Sequence, residues 1–311
     1  MNQSICAKVS TQKHGLLISG IFFICFFVLC LATPAISPAT EGGGGHYPNG
    51  AEDFMSGAVP PPGTYLLNYM NYYAANKFKL RNGQEIPNFD LKVEAEVLRI
   101  LHVTKLQLLG ANWGFHIFVP LENVDVTLPS GSKSKFGLGD IIVDPAIFSW
   151  HSKNFHAVAA VDVYIPSGQY DKNRLANPGR NYWTFEPILA ATYLSDEGLE
   201  VSGKFMYDFN TKNTATDYAS GQEFHFDYTL GYKISSFTLG IGGYFYKQFT
   251  NDKQFGTTVG TDGFKGQVFA VGPQAKFDYK NMSFILKYHR EMAVENRPEG
   301  NSFWFKFVYA F

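Results

Sequence analysis

Residues 301–311, NSFWFKFVYAF, place a large aromatic side chain at every second position. A period of two is typical of a β-strand, and it puts Phe303, Phe305, Phe307, Tyr309 and Phe311 on one face. The core of a soluble β-sandwich is usually aliphatic, and a chain terminus that frays is a poor place for such a core. Lipid is the other environment that favours a strand face covered with rings. The pattern therefore indicates a strand that faces a bilayer.

The composition argues against nucleic acid as a partner. Aromatic residues make up 16% of the 311 residues and charged residues only 17%, whereas charged residues are about a quarter of ordinary soluble domains. The formal net charge is −1 and no basic block occurs. The chain therefore lacks the electrostatic footprint of a nucleic-acid-binding protein.

The first 39 residues have the organisation of a secretory signal peptide. Two lysines precede an uncharged stretch, residues 15–31, and small residues then offer cleavage sites after Ala35 or Ala39. A basic start, an apolar middle and a small-residue end define such a signal. The alternative is a retained anchor helix, because about 17 residues is close to the minimum for crossing a membrane. All three cysteines lie in this leader, so we expect no disulfide or thiolate site after export.

From residue 63 onward, apolar and polar residues alternate in segments of strand length. EFHFDYTLGY (223–232) and LEVSGKFMYDF (199–209) each have one apolar face and one charged face. Several segments reach the nine to eleven or so residues that a membrane-crossing strand needs. About twelve strands are predicted, near residues 64–76, 89–104, 112–121, 137–149, 155–166, 182–193, 199–210, 222–233, 237–248, 266–279, 282–290 and 302–311.

The predicted connectors alternate between short and long. Short connectors fall near residues 105–111, 150–154, 194–198, 234–236 and 280–281, and long ones near 77–88, 122–136, 167–181, 211–221, 249–265 and 291–301. Short periplasmic turns alternate with long extracellular loops in outer-membrane barrels. No segment after the leader has 18 consecutive apolar residues, and strands can cross lipid only as a closed barrel. We therefore predict an all-β fold, a transmembrane antiparallel β-barrel of about 12 strands in residues 63–311. It would lie in the outer membrane of a Gram-negative bacterium, in contact with the lipid bilayer.

The segment before the barrel, residues 40–62, is too rich in glycine and proline to be a barrel strand. It could be a disordered periplasmic tail, or it could fold into the lumen as a partial plug. A twelve-strand barrel has a narrow bore, between the filled barrels of eight strands and the water-filled porins, so a short segment could close it. The side chains that could contact a lumen wall are His46, Tyr47, Glu52, Asp53 and Phe54.

The polar faces of the predicted strands supply candidates for the lumen wall. They could form a solute path, or they could pair with one another simply to keep charge out of lipid. The candidates for the path are Asp140, Asp144, Asp162, Glu186, Lys204, Glu223 and Asp227. The same alternation assigns Asp90, Lys92, Glu94, Glu96, Asp208, Asp278, Lys276, Lys287 and Lys306 to the lumen.

One long connector, residues 167–181, carries residues that could gate or recognise a solute: Tyr170, Asp171, Arg174, Asn177 and Arg180. The alternative is structural, because Asn-Pro-Gly at 177–179 is also a sequence that builds a rigid turn.

Three stretches resemble a known family. They are GGHYPNGAEDFMSGAVPPPGTYLLNY (44–69), FGLGDIIVDPAIFSW (136–150) and IPSGQYDKNRLANPGRNYWTFEP (165–187), and they are similar to outer-membrane proteins associated with meta-pathway phenol degradation. The resemblance implies a β-barrel and the passage of aromatic or other small hydrophobic solutes. The alternating aromatics of the last strand also resemble the signal that the outer-membrane insertion machinery reads, which would assign that role to Phe307, Tyr309 and Phe311.

Motifs for catalysis do not occur in the sequence. No Gly-x-Ser-x-Gly elbow is present, the histidines are scattered, and HREMA (289–293) lacks the serine that an outer-membrane phospholipase would place there. We therefore expect no enzyme activity, no cofactor and no metal site. The predicted function is a channel for passive uptake of small hydrophobic or aromatic compounds. The alternative is a non-conducting structural or surface-recognition barrel, with an outer-membrane lipid hydrolase as a third possibility.

Overall fold

The computed structural model describes residue 41 and residues 44–311. The predicted signal peptide, residues 1–39, with cleavage after Ala35 or Ala39, lies outside the described residues. Seventeen strands occur in the described part of the chain: β1 Gly63–Lys79, β2 Asp90–Leu108, β3 Ala111–Leu128, β4 Gly131–Leu138, β5 Ile141–His151, β6 Phe155–Ile165, β7 Thr184–Leu194, β8 Leu199–Asn210, β9 Lys212–Asn213, β10 Tyr218–Ala219, β11 Glu223–Ile234, β12 Phe237–Gln248, β13 Lys253–Gln254, β14 Thr257–Thr258, β15 Gln267–Tyr279, β16 Met282–Glu295 and β17 Arg297–Ala310.

The main sheet closes on itself. β1 pairs with β2 on one side and with β17 on the other, and every further neighbour is antiparallel. β4 and β5 pair with successive parts of β3, at Leu121↔Leu138 and Phe118↔Ile142, so together they form one strand of the wall. The wall is therefore twelve strands around, which confirms the predicted antiparallel barrel of about 12 strands. Each of the twelve strands of the wall therefore has a neighbour on both sides, as a lipid environment demands, and β4 pairs with β3 alone.

Two of the predicted long connectors are wrong in detail. Residues 122–136 lie mostly in the β3–β4 hairpin, and residues 291–301 lie in the β16–β17 hairpin, which turns at Asn296. Asn296 has a φ of 51°, a conformation that asparagine tolerates better than most residues. Polar residues in these segments were interpreted as loops, but they continue the hydrogen-bonded ladder of their strands beyond the membrane.

The small strands β9, β10, β13 and β14 form a second sheet at the end of the barrel opposite the start of β1 and the C-terminus. They come from two of the long connectors. Gly221 donates a backbone hydrogen bond of 2.7 Å to Asp252, which ties the two connectors together. Parts of the predicted long connectors 211–221 and 249–265 therefore form short strands.

The outer face of the barrel is apolar. On β17, Phe303 points outward and is 54% exposed, while Ser302, Trp304 and Lys306 face the lumen and are buried. Phe307 packs on Phe284 of β16, with ring centroids 5.3 Å apart. Tyr309 and Phe311 pack on each other at the end of the strand. A role for Phe307, Tyr309 and Phe311 in insertion stays a prediction.

The face assignment predicted for the first half of β2 is wrong. Asp90, Lys92, Glu94 and Glu96 do not face the lumen: Lys92, Glu94 and Glu96 are exposed, and Glu96 accepts a hydrogen bond from the half-buried Asn68. The alternate residues point inward, and Val97 joins the buried apolar cluster. This part of β2 extends beyond the lipid, where water covers the outer face. The usual rule that polar residues face inward therefore reverses there.

No helix of the length and apolarity needed to cross a membrane occurs in the described part of the chain.

We predict that Leu189→Lys destabilises the barrel by about 2–4 kcal/mol, because Leu189 lies at the centre of β7, is 65% exposed and faces lipid. Urea titration of the protein refolded in lipid vesicles measures this free energy of unfolding. Leu175→Lys, in the connector between β6 and β7, should change it by no more than about 0.5 kcal/mol. Equal losses in the two variants would contradict the lipid-facing assignment of β7.

Candidate functional site: the lumen and its N-terminal segment

Residues 44–62, called here the N-terminal segment, run inside the barrel and bind its inner wall. Asp227 on β11 accepts three hydrogen bonds from the segment: one from the Tyr47 hydroxyl at 2.6 Å, and two from the backbone N–H groups of Gly50 and Glu52 at 2.9 Å each. A single buried carboxylate therefore fixes the path of six consecutive residues. Hydrogen bonds to a charged group are about twice as strong as neutral ones.

Asp53 forms the second anchor. It lies 3.0 Å from the ammonium of Lys287 on β16 and 2.8 Å from that of Lys306 on β17. Lys287 also donates hydrogen bonds to the carbonyls of Gly50 and Ala51, at 2.7 and 2.6 Å. All three charges are buried. Both wall lysines thus find carboxylate partners in the segment, and these ion pairs favour the docked position.

Glu52 connects the segment to the opposite side of the wall. Its carboxylate lies 3.1 Å from the Arg99 guanidinium and 3.4 Å from Lys306, and it accepts a hydrogen bond of 3.3 Å from Tyr69. Burial by itself would raise the pKa of Glu52. The cations of Lys306 and Arg99 outweigh burial and hold that pKa well below its usual range. Glu52 is therefore a charged bridge across the lumen.

His46 docks the start of the segment near the loop end of the barrel. Its ring nitrogens lie 2.9 Å from Asp140 and 2.6 Å from the Thr184 hydroxyl. The ring stacks on Tyr164 at 5.0 Å and meets the edge of Tyr182 at 4.6 Å. Burial lowers the pKa of His46 and outweighs the opposing effect of Asp140. The docked segment therefore favours the neutral imidazole.

Phe54 packs on the backbone of β11 where the wall has no side chain. A Cβ atom at Gly231 would lie 2.6 Å from the Phe54 ring, so any residue larger than glycine would displace the ring. The next residue, Met55, donates its backbone N–H to Glu200 at 2.5 Å. The segment is therefore held along its length by both apolar and polar contacts.

Two cavities lie beside the segment, and Glu52 and Lys204 line both of them. The larger cavity, of about 400 Å³, lies toward the end of the barrel at which β17 and the C-terminus lie. Part of its wall is apolar, built by Leu67, Leu101, Ile147, Val158, Ala160, Ile188 and Ala190. The smaller, of about 90 Å³, lies toward the loops and is bounded by His46, Tyr47, Asp140 and Arg180, among others.

The candidates predicted for the solute path are all buried: Asp140, Asp144, Asp162, Glu186, Lys204, Glu223 and Asp227. Their contacts differ. Asp140 and Asp227 hold the N-terminal segment, and the Lys204 ammonium lies 4.7 Å from the centre of the Tyr47 ring. Asp144 instead accepts the backbone N–H groups of Ala146 and Val161, at 2.7 and 2.9 Å, where the β5–β6 register shifts. Asp144 thus compensates for hydrogen bonds that the wall itself lacks.

Four acidic residues lie side by side on β6, β7, β8 and β11: Asp162, Glu186, Asp208 and Glu223. Like charges at directly opposed strand positions are destabilising, so this row requires cations. His116 lies 2.7 Å from Asp162, and His225 lies 3.3 Å from Asp208 and 3.5 Å from Glu186. The register of the strands brings these histidines close to the acidic residues. The spacing of the residues in the sequence does not reveal this proximity.

The loop candidates divide into two groups. Asp171, Arg174 and Asn177 bond mainly to one another: the Asn177 amide donates to the carbonyls of Asp171 and Arg174, at 3.1 and 3.0 Å. They therefore hold the turn of the connector. Tyr170 and Arg180 face the lumen instead, since Tyr170 bonds to Glu41 at 3.2 Å and the Arg180 backbone donates to Asp140 at 2.7 Å.

Sequence reasoning missed Arg99, Tyr69 and His116 as lumen residues. The guanidinium of Arg99 donates to Glu52, to the Tyr69 hydroxyl at 3.1 Å and to His116 at 2.9 Å. The signal that could have revealed Arg99 is the alternation along β2. Arg99 lies on the same face as the apolar Val97, which points inward, but the charged residues before it led to the opposite assignment of the two faces.

We predict that Asp53→Asn loosens the N-terminal segment, because it leaves Lys287 buried without a carboxylate partner and Lys306 with only Glu52, 3.4 Å away. Removing one partner of a buried ion pair costs about 3–5 kcal/mol. Chymotrypsin cleavage after Phe54, located by mass spectrometry, should accelerate at least tenfold. The control is Asp196→Asn, which removes an exposed ion pair with Lys153. If Asp53→Asn protects the segment as well as the native residue does, the anchor is wrongly assigned.

We also predict that acid weakens docking through His46. The pKa of His46 is lowered in the docked segment, so the docked state binds fewer protons than the released state, whose value is about 6.5. Docking should therefore weaken as the pH falls below about 6.5. Hydrogen exchange of the amides in residues 44–62, corrected for intrinsic rates, should be faster at pH 5 than at pH 7.5.

The variant His46→Gln should remove this difference between the two pH values. His102→Gln, on the outer face of β2, is the matched control and should retain it. An undiminished pH effect in His46→Gln would assign the titration to another group.

The structure is similar to those of known outer-membrane proteins. The structure is similar to that of an outer-membrane channel from Pseudomonas putida F1, with a TM-score of 0.73, 18% identity, and coverage of 82% of this chain and 97% of that one. The β domain of the Bordetella autotransporter BrkA has a TM-score of 0.48 at 9% identity, covering 80% and 99% of the two chains. A TodX mutant described as a monoaromatic hydrocarbon channel has a TM-score of 0.47 at 11% identity, covering 89% and 98%. The last two similarities are too weak to support an argument.

No curated protein matches the chain in sequence. Residues 75–307 match the family described as "Putative MetA-pathway of phenol degradation". This match spans more than half of the chain and includes eleven of the twelve wall strands in full or nearly so. An outer-membrane β-barrel, the protein belongs to this phenol-degradation family.

Proposed function

We propose that the protein is a channel for passive uptake of small hydrophobic or aromatic compounds across the outer membrane. The observation that carries the proposal is the larger cavity of about 400 Å³, because one side of it is apolar. The interior of a transmembrane barrel is usually polar, so an apolar wall there needs a reason. Its volume lies within the range of about 300–1,000 Å³ that is typical of small-molecule sites.

The apolar side of the cavity is built by neighbouring strands of the wall. Val158 and Ala160 come from β6, and Ile188 and Ala190 from β7. Arg99, Lys204 and Lys306 also line the cavity. A small aromatic solute suits such a site, because its ring can contact the aliphatic wall while its face or a hydroxyl group meets the cations.

The N-terminal segment acts in this proposal as a plug. A solute moving from the smaller cavity to the larger one must pass Glu52 and Lys204, which line both. Glu52 is bridged to Arg99 and Lys306, so passage requires that these ion pairs rearrange or that the segment moves. We propose residues 40–62 as the plug and residues 1–39 as a signal peptide removed on export.

The family match and the similar solved structure also support this proposal. The family's description refers to phenol degradation, and the similar Pseudomonas protein is described as an outer-membrane channel. A pathway that consumes aromatic compounds needs them to cross the outer membrane. We propose transport without catalysis, with no cofactor.

We predict that Ala190→Trp reduces uptake of a neutral monoaromatic compound by at least fivefold, because the indole fills the apolar cavity. Uptake of phenol into liposomes containing the refolded barrel measures this, with empty liposomes as the baseline. The matched control is Ala191→Trp, one residue along β7 and on the lipid face, which should keep native uptake. Equal uptake by both variants would exclude the cavity as the path.

Deleting residues 44–62 tests the plug separately. We expect a larger ion conductance in planar bilayers than the intact chain gives. If neither the intact nor the shortened barrel admits phenol or ions, the protein is a non-conducting barrel whose loops carry its function.

A further inference from the structure

His225 lies in an enclosed part of the wall that the proposed solute path does not use. It projects from β11 toward Glu186 on β7 and Asp208 on β8, and all three are at most 1% exposed. The Tyr47 ring of the N-terminal segment covers the imidazole, with ring centroids 4.9 Å apart. One nitrogen and two carboxylate groups therefore converge at a place closed to solvent.

These groups are not hydrogen-bonded as an ordinary buried ion pair would be. Within the described residues, neither ring nitrogen of His225 has a hydrogen-bond partner, nor has either carboxylate oxygen of Asp208 or Oε1 of Glu186. The nitrogen lies 3.3 and 3.5 Å from the two carboxylates, whereas a charged N–H···O bond is about 2.7–2.9 Å long. Buried polar atoms without partners are rare and call for an explanation.

The distances match those between ligands of one metal ion. Zinc binds histidine nitrogen and carboxylate oxygen at about 2.0–2.2 Å, and a tetrahedron of such bonds puts neighbouring ligand atoms about 3.4 Å apart. The ligand atoms of Glu186, Asp208 and His225 all lie within 4.8 Å of one another. One imidazole and two carboxylates is a donor set that suits zinc and related divalent transition metals.

A second cluster in the same wall provides an internal comparison. His116, Asp144 and Asp162 also converge within 4.8 Å. There His116 lies 2.7 Å from Asp162 and receives a hydrogen bond from Arg99, and Asp144 accepts two backbone N–H groups. That cluster is satisfied by the protein itself, so it gives no reason to add an ion.

We propose that Glu186, Asp208 and His225 form a binding site for one divalent transition-metal ion, for which Zn²⁺ fits the geometry best. Glu223 is a candidate for a further ligand, since it pairs across the ladder with Asp208 and its Oε2 has no hydrogen-bond partner among the described residues. The ion neutralises Glu186 and Asp208, in the part of the row beyond Asp162, which Lys204 reaches at 4.0 Å.

The N-terminal segment closes this site. Tyr47 covers His225, and Gly45 lies so near Glu223 that a Cβ atom there would be 2.6 Å from Oε2. The ion therefore enters when the segment is undocked, and the docked segment retains it. This coupling distinguishes the site from a surface-bound metal.

The test is metal content after refolding. The protein is unfolded with a chelator present, refolded into detergent with Zn²⁺ so that the site is accessible during assembly, and passed through a desalting column. We expect one Zn²⁺ per chain by mass spectrometry of the metal, and none above background in His225→Gln or Asp208→Asn. The matched control is His116→Gln, in the satisfied cluster, which should keep the full Zn²⁺ content.

Two further measurements keep the result independent of folding defects. Each variant must show the heat-dependent gel mobility of a folded barrel, and the native chain refolded with Co²⁺ must show the intense visible absorption of a tetrahedral site. A folded native chain without bound Zn²⁺ would overturn the proposal. Full metal content in His225→Gln and Asp208→Asn, or its loss in His116→Gln, would overturn it equally.

Discussion

The pairing of β1 with β17 is the contact on which the rest of the structure depends. It runs from Tyr65↔Ala310 to Lys79↔Arg297 and joins the first and last strands of the wall into a cylinder. In lipid, no solvent can bond to an open edge, so the barrel is stable only when closed. Closure also separates an interior of fixed size from the membrane, and every charge on the inner face must then find its partner inside.

The N-terminal segment supplies a large share of those partners. Asp53 neutralises Lys287 and Lys306, Glu52 reaches Arg99, and Tyr47 bonds to Asp227. The wall and the segment thus share one network of buried charges, and either part alone would leave ions unpaired at considerable cost. The apolar part of the larger cavity interrupts this network, and we propose that a hydrophobic solute binds there.

The barrel itself could be predicted because lipid imposes a simple rule on residues that contact it. On β17 the rings of Phe303 and Phe305 alternate with Lys306 and the other inward residues. The sequence therefore predicts both the strand and the face of it that contacts lipid. On β2 the same alternation led to the wrong face being assigned to the lumen. The period alone does not show where a strand leaves the membrane and its outer face becomes exposed to water. The meeting of His225 with Asp208 depends on strand register, which no local motif encodes.

The order of the chain has a consequence for biogenesis. The N-terminal segment precedes β1, whereas Lys306, one of its main partners, lies on the strand that seals the cylinder against β1. Asp53 can therefore meet Lys306 only once β17 is in place, so this anchor of the segment forms together with the seam or after it. The filled lumen is thus among the last features of the molecule to form.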